Sequence, residues 1–190
     1  MTRSLWVHIL DSVSHFSNRT QELISQVTTN SFAIGEKVVY PNHGVGVIEQ
    51  IDRRSISGKL EAFYHLKIAA NNMMVMIPAT NATDVGLRRL IKKAEVNKVL
   101  KHLKNTKVNN ATDWKNRFKE NSEKMRTGCI FQVADVLKSL SLLSVNRILS
   151  FREKKMLDRA RQLMVSELAT VSDVSEDKAQ QLIDGALIQA

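Results

Sequence analysis

Cysteine, glycine, proline and aromatic residues are scarce in this sequence, and these shortages exclude several classes of protein. The one cysteine, Cys129, excludes an internal disulfide framework and a cysteine-based zinc cluster. The seven glycines form no phosphate-binding loop, because Gly44-Val45-Gly46 lacks a third glycine and a following helix. Aromatic residues make up 5% of the chain, so its two tryptophans, Trp6 and Trp114, stand out.

Catalytic and membrane-spanning patterns are also missing. The sequence contains no HExxH, CxxC or GxSxG motif, and His43 and His65 have no Asp, Glu or Cys neighbours at ligand spacing. We therefore predict that the protein is not an enzyme, that both histidines are structural, and that no metal or cofactor is bound. No run of 18 apolar residues occurs, and the first residues lack a signal-peptide pattern. The expectation is a cytoplasmic protein with no membrane partner.

Positive charge, by contrast, is plentiful and concentrated. The net charge is +9, and residues 88–126 contain thirteen Lys and Arg against four acids, so the rest of the chain is neutral. A basic segment in an otherwise neutral protein is typical of a polyanion binder. A solvated, lysine-rich helical face is the alternative interpretation.

The first half of the chain after residue 31 has the alternating pattern of short strands. The predicted strands are Lys37–Tyr40, 45–51, 62–69 and 73–77, with turns at 42–44, 57–58 and 71–72. Strands this short, joined by turns of two to four residues, favour a small, strongly bent antiparallel sheet or barrel.

After Ala82 the strand pattern ends and helical spacing continues to the end of the chain. Helices are predicted around 96–103, 114–126, 130–143, from 151 and from 176. Ser150 and Glu153 form a capping box before the fourth helix, and Ser175 precedes the acids that begin the fifth. The fold class is therefore α+β, with a β-domain followed by an all-α helical domain.

Trp114 occupies a distinctive place among these helices. Thr112 and Asp113 are good N-caps, Trp114 follows in the first turn, and Gly128 suits a left-handed C-cap. The helix between them is rich in Lys and Arg. From spacing alone, Trp114 is either a core residue or an outward-facing side chain. Trp6 is interpreted as a packing residue.

Four motifs together resemble the CarD/CdnL family of bacterial transcription regulators. They are G-E-K-V-V-Y-P-N-H-G at 35–44, V-M-I-P-A-T-N-A at 75–82, T-D-W-K-N-R-F-K-E-N-S-E-K at 112–124 and E-K-K-M-L-D-R-A-R-Q-L-M-V-S-E-L-A at 153–169. The resemblance covers about 32–190 and implies a Tudor-like antiparallel β-barrel at 32–86 and a helical DNA-binding domain at 87–190. Residues 1–31 are an extension of unknown role.

The family resemblance implies that the β-domain binds the β subunit of RNA polymerase. The strand 45–54 would supply a docking edge. The residues expected to bind polymerase are Val47, Glu49, Ile51, Arg53 and Arg54. Arg54 matches a polymerase-contacting arginine, whereas Met76 stands where some members carry a second arginine.

The resemblance also implies a role for Trp114 as a wedge in the minor groove of promoter DNA at the upstream edge of the −10 element. Lys115, Arg117 and Lys119 would neutralise phosphates, and Lys154 matches another basic position near the DNA. The expected function is stabilisation of the promoter open complex by a monomer that associates with the nucleoid through polymerase. The alternative is a stand-alone architectural nucleic-acid-binding protein whose β-domain forms oligomers; tight binding to free duplex DNA would favour it.

Overall fold

The computed structural model of the chain describes residues 31–56, 58–106 and 114–188. The elements are β1 Lys37–Tyr40, β2 Gly44–Ile56, β3 Lys59–Ile68, β4 Met74–Pro78, β5 Arg88–Arg89, α1 Val96–Asn105, α2 Trp114–Arg126, α3 Ile130–Asn146, α4 Phe151–Ser172 and α5 Glu176–Ile188. All of them belong to one compact unit that begins at Ile34. Among the helices described, none is both long and apolar enough to cross a bilayer.

The β-strands form one antiparallel sheet in the order β4-β3-β2-β1-β5. The expected α+β class is confirmed, with the sheet first and the helices after it. The sheet is open instead of closed into a barrel, because β4 and β5 lie at opposite edges and do not pair within the described ranges. Strand β5 lies beyond Ala82, where no strand was expected, and pairs through Arg88 and Arg89 with β1. Two residues are too few to show an alternating pattern.

A β-bulge in β2 determines which of its side chains share a face. Ile48 lies opposite Leu66, but the next aligned residue, Gln50, lies opposite His65, so Glu49 is the extra residue. Ile51 consequently returns to the face of Ile48, where Leu66 is fully buried. Without the bulge, strict alternation would turn Ile51 away from this core.

The five helices enclose the larger core of the molecule. Its fully buried side chains include Val99, Leu103, Val136, Leu137, Leu140, Met164, Leu168 and Ile183. The helix ends follow local rules: Ser150 accepts from the backbone N–H of Glu153 at 3.3 Å, and Gly128 after α2 has φ +69°. Both predicted helix boundaries are confirmed. The predicted caps Thr112 and Asp113 lie outside the described residues.

A bidentate ion pair joins the sheet to the helices. The guanidinium of Arg88 in β5 donates to both carboxylate oxygens of Glu167 in α4, at 2.7 and 2.8 Å. The Nε–H of Arg88 donates to the carbonyl of Gly128 at 2.8 Å. The backbone N–H of Ile91 also donates to Glu167. Glu167 is buried. One arginine therefore connects β5, α4 and the turn between α2 and α3.

The β1–β2 turn is held against the same helices. Pro41 is buried, and a methyl group added to Gly86 or Gly128 would lie 2.8 Å from its Cγ. Arg159 of α4 donates to the carbonyl of Asn42 at 2.8 Å. His43 in this turn stacks on Tyr40. Burial, the larger cause, and the charge of Arg159 both lower the pKa of His43. Glycine is needed at positions 86 and 128 because a larger side chain at either would collide with Pro41.

Substitution of Gly128 tests this packing. Gly128→Ala combines a left-handed backbone conformation with a contact to Pro41 that is too close, so we expect a loss of about 2–3 kcal/mol in the free energy of unfolding. Gly185→Ala is the matched control, because Gly185 lies within α5 and has open space around it. That control should gain up to about 1 kcal/mol. Equal urea midpoints for Gly128→Ala and the wild type would contradict the proposed packing.

Candidate protein- and DNA-binding surfaces

Strand β2 is only partly an edge strand, which narrows the predicted docking site. Its first part, through Val47, lies between β1 and β3, and the backbone of Ile48 also bonds to Gly35 and Glu36. The expectation that the whole strand 45–54 is an edge is therefore wrong. Residues 50–56 pair with β3 alone within the described part of the chain. The open half of β2 begins immediately after the bulge.

The predicted polymerase-binding residues lie on both faces of the sheet because of the bulge. Val47 is opposite Lys67 on one face, whereas Ile51 is opposite Tyr64 on the other, together with the exposed Arg53. Glu49 is the bulge residue, and its carboxylate lies 3.0 Å from the ammonium of Lys67. The five residues therefore do not form one continuous surface.

Arg54 belongs to a polar network on the Val47 face of the sheet. Its guanidinium lies 3.5 Å from Asp52, whose carboxylate is also 2.9 Å from His65 on β3. Desolvation, the largest single cause, raises the pKa of Asp52, but the hydrogen bond from Gln50, the charge of His65 and the hydrogen bond from Arg54 together outweigh it and lower this pKa. Arg54 is thus an exposed cation that pairs with the carboxylate of Asp52.

Exposed methionines continue this face onto β4. Met76 lies opposite His65, and Met74 lies opposite Lys67, so both share the face of Asp52 and Arg54. Both side chains are exposed on an edge strand. Met76 thus contributes apolar area to this face.

Helix α2 begins at Trp114, and its basic residues divide into exposed and buried ones. Lys115 and Lys119 on α2 and Lys154 on α4 are exposed. Arg117 is only 6% exposed. It was expected to neutralise a phosphate, and its burial contradicts that expectation. The side chain of Trp114 lies outside the described part of the chain, and its role as a wedge stays a prediction.

Glu153 is the reason for the burial of Arg117. Its carboxylate is 3.0 Å from the guanidinium of Arg117 and 3.1 Å from that of Arg147. It also accepts from the backbone N–H and hydroxyl of Ser150 at 3.0 and 2.9 Å. Burial raises the pKa of Glu153, but the bonds from Ser150 and Arg117 and the charge of Arg147 outweigh it and lower the pKa. The capping glutamate thus also anchors α2 to α4.

Ion pairs reduce the positive charge that the 88–126 segment presents to solvent. Arg88 pairs with Glu167, Arg89 with Glu36 at 2.6 Å, and Arg117 with Glu153. These acids lie outside the segment, so the count of charges along the sequence overstates the available positive potential. The exposed Lys115 and Lys119 keep a basic surface on α2.

A groove between α2 and α4 adds cations to those predicted from the sequence. It is lined by Asn42, Phe118, Ser122, Met125, Arg152, Lys155, Met156 and Arg159. The guanidinium carbon of Arg152 lies 6.0 Å from the centre of the Phe118 ring, within cation–π range. The i, i+3, i+7 spacing of Arg152, Lys155 and Arg159 was the available signal, because it places three cations along one helix face.

The described residues offer no site for metal chemistry. Across 31–56, 58–106 and 114–188, no group of three or more His, Cys, Asp or Glu side chains is arranged to hold a metal ion. The arrangement in these ranges is one of binding surfaces: an exposed sheet face with an open strand edge, and a basic helical face.

Comparison with known proteins agrees with this two-part arrangement. The family model "CarD-like/TRCF RID domain" matches residues 32–91, and "CarD, C-terminal domain" matches residues 98–184. The chain is also 30% identical over 145 residues to "Putative transcription factor YdeB" of Bacillus subtilis (strain 168), covering 76% of this chain and 95% of that protein. These matches define a transcription regulator with an RNA polymerase-interacting domain. The chain belongs to the CarD family.

The anchoring role of Glu153 gives a prediction for stability. Glu153→Gln removes the charge that compensates the buried Arg117. We therefore expect the free energy of unfolding at pH 7 to fall by about 3 kcal/mol. Because the folded-state pKa of Glu153 is lowered, its contribution is full above the ordinary glutamate pKa of about 4.3. It is lost as the pH falls through the folded-state value. The wild-type and variant stabilities, measured by urea unfolding, should therefore converge in acid.

Glu123→Gln is the control for this experiment. Glu123 pairs with Arg126 on the exposed side of α2, where an ion pair contributes at most about 1 kcal/mol. A stability difference for Glu153→Gln that stays constant from neutral to acid pH would show that the charge of Glu153 is not its cause.

Proposed function

We propose that this protein docks on the RNA polymerase β subunit through its sheet and stabilises the promoter open complex with Trp114 as a wedge. The wedge enters the minor groove at the upstream edge of the −10 element. The observation that carries this proposal is the match of the two halves of the chain, in order, to the two CarD family domains.

The exposed face and open edge of the sheet support docking to polymerase. Arg54 lies on the half of β2 that pairs with β3 alone in the described residues, so backbone groups and a cation occur together. Strand addition at such an edge provides affinity through main-chain hydrogen bonds, and side chains provide specificity. The exposed methionines of β4 add adaptable apolar area on the same face.

The position of α2 supports the DNA-binding half of the proposal. Arg117 follows Trp114 by less than one helical turn and is clamped to Glu153, so the backbone at Trp114 is tied to the start of α4. Lys115 and Lys119 are exposed on the same helix, and Lys154 is exposed on α4. Their contacts to phosphates would be independent of sequence and sensitive to salt.

The energetics of a wedge favour promoter DNA that is already melting. Unstacking a base step costs a few kcal/mol, so an aromatic wedge is weak on intact duplex. At the upstream fork of an open promoter that cost is already met by polymerase. A protein held by polymerase and wedged at the fork therefore stabilises the open complex relative to the closed complex.

Reversal of the charge at Arg54 tests the docking surface. Arg54→Glu should weaken binding to the isolated polymerase β subunit by about tenfold or more, because it places like charge beside Asp52 and removes a cation from the interface. Lys178→Glu on α5 is the matched control, since it makes the same charge change at another exposed position. Unchanged affinity of Arg54→Glu in calorimetry would place the interface elsewhere.

Removal of the indole tests the wedge. Trp114→Ala should keep its circular dichroism spectrum and its affinity for polymerase, while open-complex lifetime after a heparin challenge falls to that of polymerase alone. Trp6→Ala removes the chain's other indole, which is interpreted as a packing residue, and should keep the wild-type open-complex lifetime even where its thermal unfolding shifts. A Trp114→Ala protein that unfolds would instead identify Trp114 as a core residue.

A stand-alone architectural protein remains the second candidate, and the exposed β4 edge is the observation that favours it. Unpaired edge strands with apolar side chains can mediate self-association. Such a protein should form oligomers and bind free duplex DNA tightly at moderate salt. A polymerase-dependent factor should bind free duplex weakly.

A further inference from the structure

Three large apolar side chains project into solvent at the end of the molecule where α3 passes into α4. Val145 is 83% exposed, Ile148 is 89% exposed and Phe151 is 72% exposed. They occur within residues 145–151, and we call this group the α3–α4 tip. Single exposed apolar residues need no explanation, but three such side chains within one turn region make it a candidate interaction site.

The charges around the α3–α4 tip indicate what kind of partner fits it. Arg152, Lys154 and Lys155 follow directly and are exposed, and Arg147 lies within the tip with its side chain 45% exposed. Glu153 is the one acid between 144 and 157, and it is buried against two arginines. The next acid, Asp158, is exposed one turn further along α4, so the surface is apolar with an excess of positive charge. Its complement is a polyanion with accessible apolar groups.

The α3–α4 tip is continuous with the surface proposed to hold DNA. The ammonium of Lys155 lies 4.7 Å from the centre of the Phe151 ring, and Lys155 and Arg152 also line the groove against α2. Arg152 reaches the ring of Phe118, which follows Trp114 by four residues on α2. Phe151 at the tip, the groove cations and Phe118 of α2 thus lie next to one another.

We infer that the α3–α4 tip is a second DNA contact, in which Ile148 and Phe151 pack against the minor-groove edge of the duplex beside the Trp114 wedge. Exposed aliphatic and aromatic side chains flanked by Lys and Arg are the combination that minor-groove proteins use against base steps and sugars. Arg152 and Lys155 neutralise the adjacent phosphates. The inference rests on the proposed function and adds to it a contact made by this chain's own residues.

Three pairs of substitutions in the 190-residue chain separate the contributions. Ile148→Ser with Phe151→Ser removes the apolar contact and leaves every charge in place. Arg152→Gln with Lys155→Gln removes two groove cations. Lys98→Gln with Lys101→Gln makes the same charge change on α1, where both lysines are exposed. The first pair is highly exposed, so its thermal unfolding should match wild type, which the melting curve checks.

The readouts are open-complex lifetime with polymerase holoenzyme on a linear promoter fragment and affinity of polymerase without DNA. The tip pair should shorten the lifetime about fivefold or more with an unchanged slope of log lifetime against log salt. The groove pair should reduce that slope by roughly 2, which corresponds to two phosphate contacts. The α1 pair should leave both lifetime and slope close to wild type. Polymerase affinity without DNA should be the same for all.

Several results would overturn the inference. A wild-type lifetime in the tip pair, when the wild-type protein does prolong the complex, would overturn this inference alone. No prolongation by the wild-type protein would overturn the proposed function together with it. Loss of polymerase affinity in the tip pair without DNA would identify a protein contact instead. Flotation with phosphatidylglycerol vesicles that depends on Ile148 and Phe151, with unchanged promoter complexes, would identify a membrane contact.

Discussion

Helix α4 buries two glutamates, and most of the architecture depends on the arginines that compensate them. Glu153 near its start pairs with Arg117 from α2, and Glu167 near its end pairs with Arg88 from β5. A carboxylate removed from water is tolerated only when a partner of opposite charge and additional donors surround it. Each pair therefore restricts where a separate element can lie. Through these two pairs α4 determines the positions of both the Trp114 helix and the edge of the sheet.

This constraint matters for the proposed function because that function needs two surfaces acting together. A domain held by polymerase raises the effective concentration of the wedge at the promoter only if the connection does not let it move freely. The contacts of Arg88 with Glu167 and Gly128, and of Arg159 with Asn42, make that connection short and directional. The binding energy of docking can then be used to position the wedge at the fork, which free rotation of the helices would prevent.

The same ion pairs reduce the positive charge that the basic segment presents to solvent. The basic segment 88–126 accounts for the net charge of the chain, yet Arg88, Arg89 and Arg117 have structural partners from distant elements. Exposed cations also come from α4, which lies outside that segment. A polyanion interacts with the potential at the surface, so exposed charges count and buried pairs contribute little. The basic face therefore spans α2 and α4.

The sequence by itself determined the features that depend on neighbouring residues. Alternation and helical spacing predict strands β1 to β4 and the helices, Ser150 with Glu153 predicts the start of α4, and Gly128 predicts the end of α2. Only the tertiary structure decided the burial of Arg117, whose partner is 36 residues away, and the role of Arg88, whose partner is 79 residues away. The bulge after Ile48 and the open sheet likewise depend on packing against other strands. Local rules act through covalent geometry within a few residues, whereas burial and ion pairing are settled when distant segments meet.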